Sequence, residues 1–265
     1  MVVNSKGMKL RFECLEVTTQ IGCPVNCLKY CPQEVTVGRY SGERTLSLYN
    51  WKIALTHMPK RLPIVFSGFC EPFANSRATD LIDMAYEAGH PLALYTTLYQ
   101  ASRSDVERLV KYPYLVFRLH LPDGEAMRIP LSKEYKDNVF TVLQKVRNVQ
   151  LDIMNDTFES NNREKVARGL CTEEKAVRYC VKLYHPQFVL LPNGDVSICC
   201  MDFGLWHIVG NLLVDDYADI RQSFLAHKRT FKLCSLCSWN ISFVRASVEF
   251  AKDQVKKYLF PTTVW

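Results

Sequence analysis

Cys23-Pro-Val-Asn-Cys27-Leu-Lys-Tyr-Cys31 is the stretch of this chain from which the fold can be predicted. It follows a predicted β-strand and is flanked by residues that favour loops. Three closely spaced thiolates on a strand-end loop can hold a metal or an iron–sulfur cluster and leave one coordination position open. No further Cys or His lies near enough in sequence to close the site, so the stretch predicts chemistry at an open position. The alternative interpretation is three ordinary buried thiols.

Composition sets the class of protein. The chain has 265 residues, is 48% hydrophobic and carries a formal net charge of +6, which fits one substantial core with a small appendage. We find no apolar run that could span a bilayer and no signal-peptide pattern at its start, so we expect a soluble, cytoplasmic protein with no membrane partner. No block of like charges indicates a nucleic-acid partner. The eleven cysteines cluster at short spacings, which favours metal or cluster binding over disulfides.

Strand-like and helical segments alternate up to about residue 155 and predict an α/β fold with a parallel sheet. The predicted strands are Cys14–Gln20, Pro63–Gly68, Pro91–Thr97, Tyr114–Leu121 and Val149–Met154. The predicted helices are Thr45–His57, Arg77–Gly89, Ser102–Lys111 and Lys133–Val146, with a further helix at Arg163–Arg168 or Thr172–Leu183. A closed eight-unit barrel needs about 250 residues, so the stretch from Cys14 to Cys180 holds about five or six units and predicts an open, partial barrel of the (β/α)6 type.

The pattern changes after Tyr184. Two apolar segments between Phe188 and Cys199 are joined at Asn193-Gly194, a strong hairpin signal. A helix at Asp216–His227, a turn at Cys234-Ser-Leu-Cys237 and an amphipathic helix from about Ile241 to Tyr258 follow. This region predicts a small C-terminal α+β module.

The cysteine loop resembles that of the radical S-adenosylmethionine (SAM) superfamily. The family pattern is CxxxCxxC with an aromatic residue before the third cysteine. This chain keeps the aromatic residue, Tyr30, and has one additional residue before Cys31. After the second strand, Ser67-Gly68-Phe69-Cys70-Glu71-Pro72 resembles the family's Gly-Gly-Glu-Pro motif, with Cys70 in place of its last glycine. The resemblance implies a 4Fe–4S cluster on Cys23, Cys27 and Cys31, with SAM bound at its open iron and the SAM amino group held by the segment with Gly68, Glu71 and Pro72.

The C-terminal module resembles the twitch or SPASM-like extension of the same superfamily. Cys180, Gly194 and Cys199 fit its CxnGxxxxC pattern, and Cys234 and Cys237 follow. The resemblance implies a second, auxiliary 4Fe–4S cluster on the four cysteines and domains at 1–179 and 180–265. Strand alternation places Cys199 and Cys200 on opposite faces; together with the family spacing this selects Cys199 as ligand and predicts Cys200 to be a small buried hydrophobic residue. A zinc ribbon is the competing interpretation of the four cysteines.

Position at the carboxyl ends of barrel strands predicts further site residues. It places Ser67, Thr96, Thr97, Arg118 and His120 near the cofactor or substrate. Arg118 is a candidate partner of the SAM carboxylate, and strand alternation puts His120 on the same face. For His120, a surface position or a satisfied place in the core competes with a catalytic role.

The resemblance implies reductive cleavage of SAM to a 5′-deoxyadenosyl radical that removes a substrate hydrogen atom. It also implies a reducing partner such as flavodoxin or ferredoxin. Dehydrogenation and epimerisation both remain open; epimerisation returns a hydrogen atom from a cysteine, for which Cys70, Cys171 and Cys14 are candidates. Only 22 residues precede Cys23, which favours a carbohydrate- or cyclitol-like small molecule over a peptide. The alternatives are a peptide-modifying radical SAM enzyme and a non-catalytic zinc module that binds RNA or protein.

Overall fold

The computed structural model describes residues 12–25, 27, 31–123, 127–154, 162–171, 173–177, 179–242, 244 and 247–248. Eight strands form one sheet in this part of the chain. The strands are β1 (Cys14–Val17), β2 (Ile64–Phe66), β3 (Leu92–Thr96), β4 (Tyr114–Pro122), β5 (Val149–Met154), β6 (Gln187–Leu190), β7 (Asp195–Ser197) and β8 (Ile208–Asn211). The helices are α1 (Gln33–Arg39), α2 (Leu48–Thr56), α3 (Ala78–Glu87), α4 (Arg103–Leu109), α5 (Lys133–Lys145), α6 (Arg163–Ala167), α7 (Tyr217–His227) and α8 (Lys232–Leu236).

The sheet has the order β5-β4-β3-β2-β1-β6-β7-β8. Strands β1 to β6 pair in parallel, and the hairpin that follows adds β7 and β8 in antiparallel orientation. The predicted α/β class and the open, six-unit parallel sheet are thus confirmed. The sixth parallel strand, β6, lies beyond residue 180, so the sheet continues across the predicted domain boundary; the boundary itself stays a prediction.

Helices cover one face of the sheet. Leu15 and Ile64 from the strands share a buried core cluster with Leu81, Val106 and Val142 from α3, α4 and α5. Burying one such side chain stabilises the fold by about 1.5–3 kcal/mol. Neighbouring residues in a strand point to opposite faces, so the other face of the sheet, here called the inner face, begins with a smaller apolar cluster of Cys14, Val65 and Ala93.

Most elements lie within a few residues of their predicted bounds, and the exceptions have local causes. The stretch before α1 carries the cysteine loop, and the helix itself contains Gly38 and three β-branched residues, so it was not predicted. Of the two alternatives for the helix after β5, the first is confirmed by α6. The second is wrong, because residues 173–177 are irregular and only Val181–Leu183 form a 3₁₀ turn. Strand β8 was also not predicted.

The predicted hairpin turn is confirmed. Gly194 has φ +90°, and a Cβ there would lie 2.4 Å from both Asn211 Oδ1 and Leu213 Cγ. Glycine avoids both the strain and the clash. Most of the predicted helix from Ile241 to Tyr258 lies outside the described residues. No helix in the described part of the chain is both long and apolar enough to cross a membrane.

Candidate active site

The Gly68–Pro72 segment is held against the end of β1 by two threonines. Thr18 and Thr19 follow β1 directly and are completely buried. Thr18 Oγ1 accepts a hydrogen bond from the Phe69 amide at 3.1 Å, and Thr19 Oγ1 donates to the Pro72 carbonyl at 2.8 Å. Gly68 has φ +62° and approaches Thr18 closely. The segment after β2 is therefore fixed beside the cysteine loop that continues from β1.

The two motifs meet at one hydrogen bond. The Glu71 backbone amide donates to Cys23 Sγ at 3.3 Å. Two segments separated by 48 residues in sequence are thus in direct contact through the atoms that the sequence singled out. An amide that points at a thiolate stabilises negative charge on the sulfur.

The Glu71 side chain ties the same segment to β3. Its carboxylate accepts hydrogen bonds from the Thr97 amide and Thr97 Oγ1, both at 2.7 Å, and from Thr96 Oγ1. It also caps the 3₁₀ turn Pro72–Ala74 by accepting from the Phe73 amide. Burial raises the pKa of Glu71, and these hydrogen bonds oppose that effect. The structure thus uses both carboxylate oxygens to hold the loop; a direct contact of Glu71, Thr96 or Thr97 with a cofactor stays a prediction.

The three loop thiols influence one another. The neighbouring Cys31 thiol and burial raise the pKa of Cys27, and the charge of Cys23 acts in the same direction. The neighbouring Cys27 thiol and the charge of Arg163 lower the pKa of Cys31 against the effect of burial. In a 4Fe–4S cluster each thiolate binds a different iron. The three thiols of this loop can therefore hold such a cluster without converging on one point.

Two further facts concern metal binding at this loop. Among the described residues, no group of three or more His, Cys, Asp or Glu side chains is arranged around the position of a single ion. The predicted aromatic residue, Tyr30, lies outside the described residues.

A buried ion pair lies on the inner face beside Ser67, at the start of the second motif. Glu16 of β1 accepts from Ser67 Oγ at 3.1 Å and from Lys182 Nζ at 3.2 Å. The side chains of Glu16 and Lys182 are 9% and 8% exposed. Ser67 was predicted to be near the site, and the structure places it beside these charges. Glu16 and Lys182 were missed, although a glutamate within the apolar sequence Cys14-Leu-Glu-Val17 is a usable signal.

A second polar group lies on β4 and β5. Arg118 Nη1 is 3.3 Å and His120 Nε2 is 3.5 Å from Asp152 Oδ2. The Arg118 guanidinium also donates to Gln150 Oε1 at 2.9 Å and lies 4.9 Å from the centre of the Tyr95 ring. The predicted common face of Arg118 and His120 is confirmed by their shared carboxylate. Asp152 was missed, because only strand pairing brings it to His120.

Arg163 contacts both the cysteine loop and the aromatic ring of Phe203. Its Nη1 lies 3.9 Å from Cys31 Sγ, and the guanidinium is 4.8 Å from the centre of the Phe203 ring. Phe203 in turn packs edge-on against Phe69 at 4.7 Å. This contact between α6 and the loop was not predicted, since Arg163 is 132 residues from Cys31 in sequence.

A cavity in the C-terminal part is lined by all four predicted auxiliary ligands. They are Cys180, Cys199, Cys234 and Cys237. Cys234 belongs to α8 and Cys237 ends it, so the predicted turn is a short helix. Burial raises the pKa of Cys234 to about 12 and that of Cys237 to about 11. The structure brings the four thiols to one cavity; the cluster that they are predicted to hold stays a prediction.

Two of the other cysteines make polar contacts. Strand β7 ends at Ser197, so strand alternation does not reach Cys199 and Cys200. Cys200 is buried as predicted, but its sulfur lies 3.3 Å from Lys182 Nζ in a polar contact. Cys70 lies 3.5 Å from Thr19 Oγ1, and burial raises its pKa to about 11. A catalytic role for Cys70 stays a prediction.

No protein-family model and no curated protein sequence matches the chain. Solved structures do. BtrN in complex with AdoMet and 2-DOIA has a TM-score of 0.64 and 18% identity, covering 86% of this chain and 93% of that chain. AnSMEcpe with bound AdoMet gives 0.52 and 10%, covering 82% of each chain. Streptococcus suis SuiB bound to precursor peptide SuiA gives 0.51 and 12%, covering 86% of this chain and 70% of that chain. At these identities the likeness concerns the fold alone, and it agrees with the open, partial-barrel architecture described above.

Proposed function

We propose that this chain is a radical SAM enzyme that dehydrogenates or epimerises a carbohydrate- or cyclitol-like small molecule. The observation that carries the proposal is the hydrogen bond from the Glu71 amide to Cys23 Sγ. It joins the cysteine loop to the second motif at the carboxyl ends of β1 and β2, where α/β folds bind their ligands.

The residues fit the cofactors that the proposal requires. Cys23, Cys27 and Cys31 would hold a 4Fe–4S cluster, and the Gly68–Pro72 segment would hold SAM beside it. When bound, the cluster and SAM together supply a 5′-deoxyadenosyl radical that removes a hydrogen atom from the substrate. Cys180, Cys199, Cys234 and Cys237 would hold the auxiliary cluster, which suits the role of electron acceptor in a dehydrogenation.

The inner face supports a small polar substrate. Glu16 and Asp152 place carboxylates on this face, and Arg118 and Lys182 place cations on it. The carboxylates accept hydrogen bonds from the hydroxyl groups of a sugar or cyclitol, and the cations donate hydrogen bonds to them. Together these contacts fix the orientation of the substrate. The likeness to BtrN, which is solved with AdoMet and 2-DOIA, agrees with this substrate class.

Reductive cleavage of SAM tests the proposal. Anaerobically purified protein is expected to contain about eight iron atoms per chain and to form 5′-deoxyadenosine when SAM and dithionite are added. Cys27→Ser removes a ligand of the first cluster and should abolish 5′-deoxyadenosine formation. Cys171→Ser changes a thiol outside both cysteine groups and serves as the control for iron content. Colourless protein that contains zinc would refute the proposal and support the zinc module.

The outcome at the substrate distinguishes the two reactions. With candidate cyclitols in deuterated water, a carbonyl product identifies dehydrogenation, and deuterium at an inverted carbon identifies epimerisation. The fold likeness to SuiB bound to its precursor peptide keeps peptide modification as a second candidate. A modified peptide product, formed when candidate peptides replace the cyclitols, would favour that candidate.

A further inference from the structure

Lys182 lies between the inner face and the auxiliary cavity. It belongs to the 3₁₀ turn that follows Cys180, and it lines the same cavity as the four cysteines. On the other side, its Nζ is 3.2 Å from Glu16 Oε1 on β1. One buried ammonium group therefore contacts both the predicted substrate face and the surroundings of the predicted auxiliary cluster.

The polar and aromatic contacts of Lys182 fix this position. Nζ lies 3.3 Å from Cys200 Sγ and 5.3 Å from the centre of the Trp239 ring. The Lys182 side chain is buried, and its ammonium group forms an ion pair with the Glu16 carboxylate at 3.2 Å.

Stability alone does not explain such a pair. Removing two charges from water costs several kcal/mol per ion, and well-packed hydrophobic residues often stabilise a core as much as a buried ion pair or more. The Glu16–Lys182 pair has both side chains less than 10% exposed. A role for the charge itself is the simpler explanation.

We propose that Lys182 is a positioning residue whose fixed positive charge raises the reduction potential of the cluster in the auxiliary cavity. The inference rests on the proposed function, which assigns that cluster. Reduction adds one negative charge to a cluster, and a nearby cation stabilises the reduced state. Burial makes the interaction stronger and protects it from screening by salt. Glu16, on the far side of Lys182, would act in the opposite direction.

Redox titrations followed by electron paramagnetic resonance test this assignment on the anaerobically purified full chain. Lys182→Met removes the charge and should lower the midpoint potential of the auxiliary cluster. Lys182→Arg keeps the charge and should retain a potential near that of the wild type. Glu16→Gln removes the opposing carboxylate and should raise the potential. The potential of the first cluster should change less in every variant.

The opposite signs separate electrostatics from structural damage. A disturbed cavity would shift the midpoint potential of the auxiliary cluster in the same direction in Lys182→Met and in Glu16→Gln. That result would overturn the proposal. An unchanged potential in Lys182→Met with full iron content would overturn it as well. Should Lys182→Met lose auxiliary iron, Lys182→Arg and Glu16→Gln still decide the question. An iron content of about four atoms per wild-type chain would show that the auxiliary cluster is absent and would overturn this inference. SAM cleavage by the first cluster would still support the radical SAM proposal.

Discussion

At the scale of single residues, Gly68 shows how the chain brings its two motifs together. A Cβ at this position would lie 2.2 Å from Thr18 Oγ1 and 2.9 Å from the Thr18 amide nitrogen. Thr18 Oγ1 also accepts the hydrogen bond that fixes the Phe69 amide. The absence of a side chain at Gly68 therefore determines how closely the second motif approaches the end of β1.

Gly68→Ala should destabilise the protein by about 3 kcal/mol, because it combines backbone strain at positive φ with a clash. Gly89 is a matched control: it has φ +86°, but nothing lies within 4 Å of its hypothetical Cβ. Gly89→Ala should therefore cost only the strain, about 1 kcal/mol. Chemical denaturation measures both values, and SAM binding should weaken in Gly68→Ala alone. Equal losses of stability would show that the contact with Thr18 has no role.

The polar residues of the inner face illustrate what sequence can and cannot predict at this scale. Arg118 and His120 were predictable, since alternation along one strand places them on one face. Asp152 and Lys182 were not, because their partners belong to other strands and distant turns. A pattern within one segment reports which residues share a face, but it does not report which segments pair.

At the scale of elements, helix α4 has a single clear start signal. Ser102 Oγ accepts from the Asp105 amide, and the Asp105 carboxylate accepts from the Ser102 amide, which completes a capping box. Ser104, which has Glu107 three residues later, offers the same capping-box spacing in the sequence. The structure selects Ser102 with Asp105, and Ser104 is exposed within the helix.

Ser102→Ala should lower the free energy of unfolding by about 1 kcal/mol, because it removes the side-chain cap of α4. Ser104→Ala changes the same residue type two positions later and should alter stability by less than about 0.5 kcal/mol. Urea denaturation monitored by circular dichroism provides the comparison. A larger effect for Ser104→Ala would contradict the assignment of the cap.

The elements that sequence failed to predict are short or lie beside the cysteine loops. Strong alternation or helical periodicity identified β4, β5 and α5 within one or two residues. Helix α1 has seven residues and β8 has four, too few to establish a period. Both depend on tertiary contacts; Thr36 of α1, for example, donates to the Phe203 carbonyl at 2.8 Å.

At the scale of the whole molecule, one sheet positions both groups of cysteines. Strand β1 pairs with β2 on one side and with β6 on the other. The cysteine loop continues from β1, and Cys199 follows the hairpin that continues from β6. Arg163 and Lys182 lie between the two groups and contact Cys31 and Cys200, respectively. The pairing of β1 with β6 explains why residues so distant in sequence form adjoining sites.

The adjacent residues Cys199 and Cys200 provide the last test, because the structure gives them different surroundings. Cys199 lines the cavity with the other three cysteines, whereas Cys200 faces Lys182. Cys199→Ser should lower the iron content from about eight to about four atoms per chain, and Cys200→Ser should retain about eight. Iron analysis and absorbance near the cluster bands measure the difference in matched anaerobic preparations. Loss of iron in Cys200→Ser alone would assign the ligand to Cys200 and place Lys182 beside a cluster sulfur.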